Sequence, residues 1–201
     1  MTIRAVIWDI GGVLVRTEDR TPRRQLAESL GLTYEEIDDL VWGGDLGRQV
    51  QLGWVSALTV WQNLCQQVGL PFDDIPRLRR AFFAGDVLDA TLVAYIRSLH
   101  PRYQVGVISN AMDDTRQVLE QEWGIQDAFN DIVISAEVHL MKPDPQIFFL
   151  ALEHLQVNPQ QAVFIDDFQH NVDGARAVGM QALRFSSTSQ IQQELETLLS
   201  R

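Results

Sequence analysis

Hydrophobic residues in this chain follow two rhythms, and the change from one to the other divides it. Ala5-Val6-Ile7-Trp8 is a continuous apolar run, too short for a helix and closed by Asp9-Ile10-Gly11-Gly12, which predicts a strand buried on both faces. From Thr21 to Gly85 no second run of this kind occurs, and apolar residues recur every three or four positions. Pro22 suits a first helical residue, with Leu26 and Leu30 turned inward and Gly31 as the stop. Thr33-Tyr34-Glu35-Glu36 has capping-box spacing ahead of Ile37, Leu40 and Val41. Ser56 is placed to cap a third helix carrying Trp61, Leu64, Cys65 and Val68, and Asp74 to open a fourth through Leu78 and Phe82.

After Asp89 helices and strands alternate, the signature of a parallel sheet with helices on both faces. Asp89 caps a helix with Leu92, Ile96 and Leu99, and Val105-Gly106-Val107-Ile108 forms the next strand, ending in Ser109-Asn110. A helix over Met112 to Trp123 leads to the strand Ile132-Val133-Ile134, and Asp144-Pro145 opens a helix through Leu155. Ala162-Val163-Phe164-Ile165 is a strand ending in Asp166-Asp167; a helix to Gly179, an edge strand over Met180 to Phe185 and an amphipathic helix close the chain. The expected fold is α/β: a Rossmann-like parallel sheet with flanking helices, from residues 1–16 and 87–201, and a helical cap inserted at 17–86.

Composition narrows the partners. A formal net charge of −11 over 201 residues repels phosphate backbones and anionic lipid, so neither nucleic acid nor a membrane is expected as a partner. No apolar run is long enough to span a bilayer, the first residues lack the order of a signal peptide, and a cytoplasmic monomer or homodimer is expected. The lone cysteine, Cys65, excludes an internal disulfide and sits in an apolar helical stripe. Of the 16 basic residues only Lys142 is lysine, so it is the cation whose position matters most.

Strand ends carry the candidate chemistry. Asp9, Ser109 with Asn110, and Asp166 with Asp167 all follow strands of one parallel sheet and therefore lie along one edge, with Lys142 in the loop after the third strand. Each has a structural alternative: turn residues for the acids, helix caps for Ser109 and Asn171, a solvated side chain for Lys142. Two adjacent acids behind a buried strand repel each other unless a cation sits between them. His100, His139 and His154 read as surface or helix-end residues, His170 as peripheral, and Trp42, Trp54 and Trp61 as core of the insert.

The order of an acid after the first strand, Ser109-Asn110 after the second, Lys142-Pro143 before a helix and Asp166-Asp167 after the fourth strand resembles the haloacid dehalogenase superfamily, in its phosphatase-type branch with a helical cap. The resemblance implies that Asp9 is the nucleophile and that Mg²⁺ is held by Asp9, the Gly11 carbonyl and Asp167. It further implies that Asp166 and Asn171 stand behind these ligands, and that a small phosphorylated metabolite is bound through Ile10, Gly11, Ser109, Asn110 and Lys142. A set of hard oxygen ligands suits Mg²⁺, and Ser109-Asn110 is expected near a helix N-terminus, where anions are favoured.

One position departs from the pattern. Phosphatases of the superfamily usually carry a second acid two residues after the nucleophile, and this chain has Gly11 there, a D-x-G-G start that resembles a subgroup similar to sugar-1-phosphate phosphatases and to phosphatase domains of epoxide-hydrolase type. The carbonyl survives the change and the proton transfer does not, so the expectation is a slow enzyme, a preference for good leaving groups such as a sugar-1-phosphate or an acyl phosphate, or an acid recruited from the cap or the substrate. Two other readings compete: a dehalogenase, which needs no metal, and a binding protein that has lost turnover.

Overall fold

Along Ala5–Trp8 (β1) neighbouring side chains go to opposite faces, and both faces are apolar. Val6 and Trp8 join one core with Val107, Ile165 and the helix residues Leu92, Ile96 and Ile191. Ala5 and Ile7 join the other with Ile108, Phe164, Ile147, Phe148 and Val172. The computed structural model describes residues 2–200.

The chain leaves β1 through a tight turn into a short strand, β2 (Val15–Thr17), which pairs antiparallel with β3 (Asp86–Leu88). Between these two strands lie α1 (Thr21–Ser29), α2 (Tyr34–Trp42), α3 (Gly44–Gln51), α4 (Ala57–Val68) and α5 (Ile75–Phe83). These helices build a core of their own from Leu26, Ile37, Val41, Trp61, Leu64, Leu78 and Phe82. The rings of Trp61 and Phe82 meet edge-on at 5.6 Å, a geometry that adds about 0.5–1.5 kcal/mol beyond area burial.

Past β3 come α6 (Ala90–Leu99), β4 (Gln104–Ser109), α7 (Thr115–Gln117), β5 (Asp131–Ile134), α8 (Ser135–Val138), α9 (Pro145–His154), β6 (Ala162–Asp166), α10 (Gln169–Ala177), β7 (Gln181–Arg184) and α11 (Thr188–Leu199). The parallel sheet runs β5-β4-β1-β6-β7, with Trp8 opposite Val107 on one side and Ile165 on the other. Strand order reverses at β1, and the crevice at such a reversal is where open α/β sheets bind ligands. This is the expected Rossmann-like sheet, with β7 at its edge.

Several local expectations hold. Thr33 and Glu36 form the reciprocal capping box, and Asp89 and Asp144 accept from Leu92 N–H and Gln146 N–H. Others need correction. Ser56 makes no capping bond to α4; Asp113, from the loop after β4, accepts from Ala57 N–H at 2.9 Å. The helix expected over Met112 to Trp123 begins only at Thr115 and continues as a π-helix over Val118–Glu122. Ser109-Asn110 therefore lies several residues before any helix N-terminus. Helix α3 was not foreseen because its sequence, Gly44-Asp45-Leu46-Gly47-Arg48-Gln49-Val50-Gln51, is poor in helix formers. Gly47 stands so close to the Trp42 carbonyl that a β-carbon there would collide with it. Trp54, expected in the core of the insert, is 64% exposed.

Candidate active site

The turn after β1 is built on one carbonyl. Ile10 O accepts from Val13, Leu14 and Val15 N–H at 3.3, 2.8 and 2.9 Å, while Asp9 N–H still donates to Ile165 O at 2.9 Å. Asp9 is thereby fixed where β1 and β6 end side by side, and it is 5% exposed. Its Oδ1 accepts from Ile10 N–H at 2.7 Å and from Lys142 Nζ at 2.8 Å. Oδ2 accepts no hydrogen bond from the described residues.

Lys142 lies at the opposite extreme from a solvated lysine, at 2% exposure. Its three ammonium donors have three acceptors: Asp9 Oδ1, Asp166 Oδ2 at 2.7 Å and Ile108 O at 2.9 Å. Its backbone is clamped by the Asn110 side chain, which accepts from Lys142 N–H at 2.7 Å and donates to Lys142 O at 2.9 Å. Asn110 thus spends its side chain on holding the lysine loop. Ser109 is buried at the end of β4, and Ser135 Oγ, which sequence reasoning missed, ties down Ala111, two residues further on, by accepting from its N–H at 2.9 Å.

Asp166 is wholly enclosed. Its carboxylate takes Lys142, Phe168 N–H at 2.8 Å and the Asn171 amide at 3.0 and 3.1 Å. Asp167 differs, because its buried Oδ1 has no hydrogen-bond partner among the described residues. Gly12, with φ of +76°, leaves room for that carboxylate, and a β-carbon on Gly12 would overlap it. At Gly11 the opposite holds, and a β-carbon would meet nothing within 4 Å.

The three carboxylates of Asp9, Asp166 and Asp167 offer oxygens that lie within 4.8 Å of one another. Burial pushes the Asp9 carboxyl up to about 7; Lys142 opposes this and Asp166 adds to it. Burial, then the Asp166 charge, also raises Asp167. One ammonium is shared by Asp9 and Asp166, and among the described residues no cation pairs with the Asp167 carboxylate. The deficit of positive charge and the unpartnered buried oxygen fit a divalent cation at this point, and hard carboxylate and carbonyl oxygens are the donors Mg²⁺ takes.

Residues named from sequence thus converge: Asp9, Ile10, Gly11, Lys142, Asp166, Asp167 and Asn171 share one crevice, with Ser109 and Asn110 on the adjoining strand end. Met112, Asp113 and Asp114, which sequence reasoning passed over, run from that strand end into the helical insert. Met112 is buried in the core of α1–α5, Asp113 caps α4, and Asp114 pairs with Arg79. The residue after α8 makes a second junction, where His139 Nδ1–H donates to Leu52 O at 2.7 Å. Both junctions lie at the carboxyl-terminal edge of the sheet, so the helices stand over the side that carries Asp9.

Comparison with known proteins points the same way. The chain is 27% identical to the sesquiterpene phosphatase astK of Aspergillus oryzae over 98% of its own length and 97% of that protein. It is 24% identical to the fructose-1-phosphate phosphatase YqaB of Escherichia coli, covering 89% of this chain and 94% of the relative. A HAD-family enzyme of Bacteroides thetaiotaomicron, solved with magnesium and inorganic phosphate, shares the fold at a TM-score of 0.75 and 21% identity, over 92% of this chain and 94% of that one. The haloacid dehalogenase-like hydrolase family model matches residues 3–179, and the chain belongs to that family.

Proposed function

We propose that this protein is a Mg²⁺-dependent phosphatase of a small phosphorylated metabolite, working through an aspartyl-phosphate on Asp9. The observation that carries the reading is the pairing of a nearly buried carboxylate, one oxygen held by Lys142 at 2.8 Å, with a neighbouring carboxylate whose buried oxygen has no partner. Lys142 and Ile10 N–H fix Oδ1, so Oδ2 is the attacking atom. It forms a bond to phosphorus as the bond to the leaving oxygen breaks and the electron pair departs with that oxygen. Water then attacks the phosphorus of the acyl phosphate, releasing inorganic phosphate and restoring the carboxylate. Asp9, the Gly11 carbonyl and Asp167 would hold the Mg²⁺, which when bound would supply positive charge to offset that of the nucleophile and the phosphoryl group. Ser109 and backbone amides of the turn after Asp9 hold those oxygens, while Asp166, fixed by Asn171, keeps Lys142 in place. Helices α1–α5 act as a cap that shields the crevice from water.

Gly11 sets the substrate class. Without an acid at this position the usual proton donor to the leaving oxygen is missing, a loss of about 10²–10⁴ in rate for a basic leaving group unless the cap or the substrate supplies one. Sugar-1-phosphates and acyl phosphates, whose leaving oxygens are less basic than an alkoxide, are the substrates this site suits. A dehalogenase reading leaves the third carboxylate without a purpose. The test is phosphate release from acetyl phosphate, a sugar-1-phosphate and an aryl phosphate, with Mg²⁺ or with chelator. Release that requires both the metal and Asp9, and disappears in Asp9→Asn, is expected. Binding of metal and phosphate with no release from any compound supports a binding protein instead.

A further inference from the structure

Two segments leave the carboxyl ends of β4 and β5, and each grips the backbone of the other. From the first, the Asn110 side chain takes both backbone groups of Lys142, at 2.7 and 2.9 Å. From the second, Ser135 does the same to Ala111: its Oγ accepts from Ala111 N–H at 2.9 Å, and its hydroxyl donates to Ala111 O at 3.2 Å. The result is a clasp of four hydrogen bonds, with Asn110 and Ala111 adjacent on one side and Ser135 and Lys142 on the other. Ser135 is wholly buried and Ala111 nearly so, which leaves no water to replace a lost partner. Ile134, the residue before Ser135, lies opposite Ser109 in the β4–β5 register, so the clasp begins where the ladder of the sheet stops.

Asn110 is thereby held from both ends. On one side Ser109 is fixed in β4, and on the other the two planar peptide units flanking Ala111 are fixed by Ser135. The clasp also decides which donors at this strand end stay free. Ala111 N–H is engaged, whereas Asn110 N–H and Ser109 Oγ have no hydrogen-bond partner among the described residues. Beyond Ala111 the chain runs into the helical insert through Met112, Asp113 and Asp114, so Ser135 separates those attachments from Ser109. Without its hydroxyl, two buried backbone groups of Ala111 lose their partners, and the loop must shift to satisfy them. Such a shift carries Asn110 N–H away and loosens the Asn110 amide from Lys142, whose ammonium is 2.8 Å from Asp9 Oδ1.

We propose that Ser135 is a positioning residue for phosphoryl transfer: through Ala111 it aims Ser109 Oγ and Asn110 N–H at the transferred phosphoryl group and keeps the Asn110 amide on Lys142. This deepens the phosphatase reading and rests on it. Ser135 is not itself a donor to the substrate, because its single O–H is engaged by Ala111 O.

The experiment measures kcat and KM for phosphate release from acetyl phosphate with Mg²⁺ in wild type, Ser135→Ala, Asn110→Ala, the double variant and Asn130→Ala. The last is the control: Asn130 Oδ1 accepts from Val105 N–H at 2.8 Å, so its loss removes a side-chain bond to the backbone of β4 at the opposite end of the strand. Ser135→Ala is expected to lower kcat by about 10–100-fold, through Lys142, and to raise KM by about 3–10-fold, through Ser109 and Asn110. The double variant is expected to match the slower single variant within about 3-fold, since both break one clasp, and Asn130→Ala to keep kcat and KM within about 2-fold of wild type. A kcat for Ser135→Ala within about 3-fold of wild type, kcat losses that multiply in the double variant, or equal losses in Asn130→Ala overturn the proposal. If Ser135→Ala does not fold, Ser135→Cys, which keeps the shape and only a weak donor, is held to the same criteria. If wild type releases no phosphate from acetyl phosphate, a sugar-1-phosphate or an aryl phosphate, the phosphatase reading fails separately, and the clasp is tested by calorimetric titration with inorganic phosphate and Mg²⁺. Affinity about 3–10-fold weaker in Ser135→Ala but unchanged in Asn130→Ala then supports the proposal. Equal affinity in the two variants, or no binding to wild type, overturns it.

Discussion

Gly11 and Gly12 are neighbours in sequence, yet the structure gives them opposite tolerance for a side chain. At Gly12 the backbone is left-handed, φ +76°, and a β-carbon would overlap the Asp167 carboxylate. The conformation costs an alanine about 1–2 kcal/mol, and forcing extra volume into a packed site costs about 1–3 kcal/mol more. Gly12→Ala is therefore expected to destabilise by about 2–5 kcal/mol, a fall in Tm of roughly 4–20 °C for a chain of this size. Should Asp167 swing aside, the steric part moves out of stability and into metal binding. Stabilisation by Mg²⁺, about 2.7 kcal/mol at a hundred times its Kd, then shrinks or disappears. At Gly11 there is open space and no positive φ, so Gly11→Ala is expected to stay within about 1 kcal/mol of wild type, on the stabilising side if anywhere. The assay is thermal or urea unfolding of both variants, with and without Mg²⁺. Similar losses at the two positions, or a Gly12→Ala variant that matches wild type in Tm and in its response to Mg²⁺, refute the reasoning. The same open space accommodates an acid, and Gly11→Asp is expected to raise kcat on an alkyl phosphate by about 10²-fold or more while changing acetyl phosphate turnover little.

Further predictions concern pH, the insert and its junction with the sheet. Asp9 is raised in the fold to about 7 from an ordinary value near 3.8, so between these values the folded protein binds the extra proton. Its contribution makes the metal-free protein lose stability as pH rises from about 4 to about 7, by up to about 1.4 kcal/mol per pH unit. Asp9→Asn removes that slope, and Mg²⁺ stabilises wild type more at pH 8 than at pH 5; a slope shared by the variant contradicts this. Arg23 is buried against the Phe82 ring at 3.9 Å and binds Phe82 O, Asp38 and Asp86. Arg23→Ala is expected to cost about 3–5 kcal/mol in unfolding measurements, and Arg23→Lys most of that, because lysine lacks the fork of donors. Asp113→Ala uncaps α4 and is expected to cost about 1 kcal/mol; a kcat/KM that falls further than stability does would show that the loop after Ser109 is set by the insert.

Legibility followed the range of the forces involved. Buried strands flanked by turn residues were readable because a run such as Val163-Phe164-Ile165 needs no partner to be identified as an interior strand. Caps made by neighbours in sequence, such as Thr33 with Glu36, were equally visible. The Asp113 cap on α4 was not, since donor and acceptor are 56 positions apart. The ribbon β2–β3 escaped because three residues carry no period, and α3 because Gly47 serves a close approach to Trp42 rather than helix propensity. In the crevice, residue types and strand ends identified Asp9, Lys142, Asp166 and Asp167. The use of the Asn110 side chain as a clamp on Lys142 could only be read from coordinates. The scarcity of lysine was the signal that picked out Lys142, and its burial agrees with that reading.

The central claim is that Asp9 Oδ2 becomes bonded to phosphorus. It is tested most directly by mixing the protein with acetyl phosphate and Mg²⁺, quenching within one turnover in acid, and mapping the phosphorylated peptide by mass spectrometry. The account predicts a phosphoryl group on the peptide containing Asp9 in wild type and its absence in Asp9→Asn. Phosphate release in Asp9→Asn at the wild-type rate, or a phosphoryl group on any other residue, would contradict it.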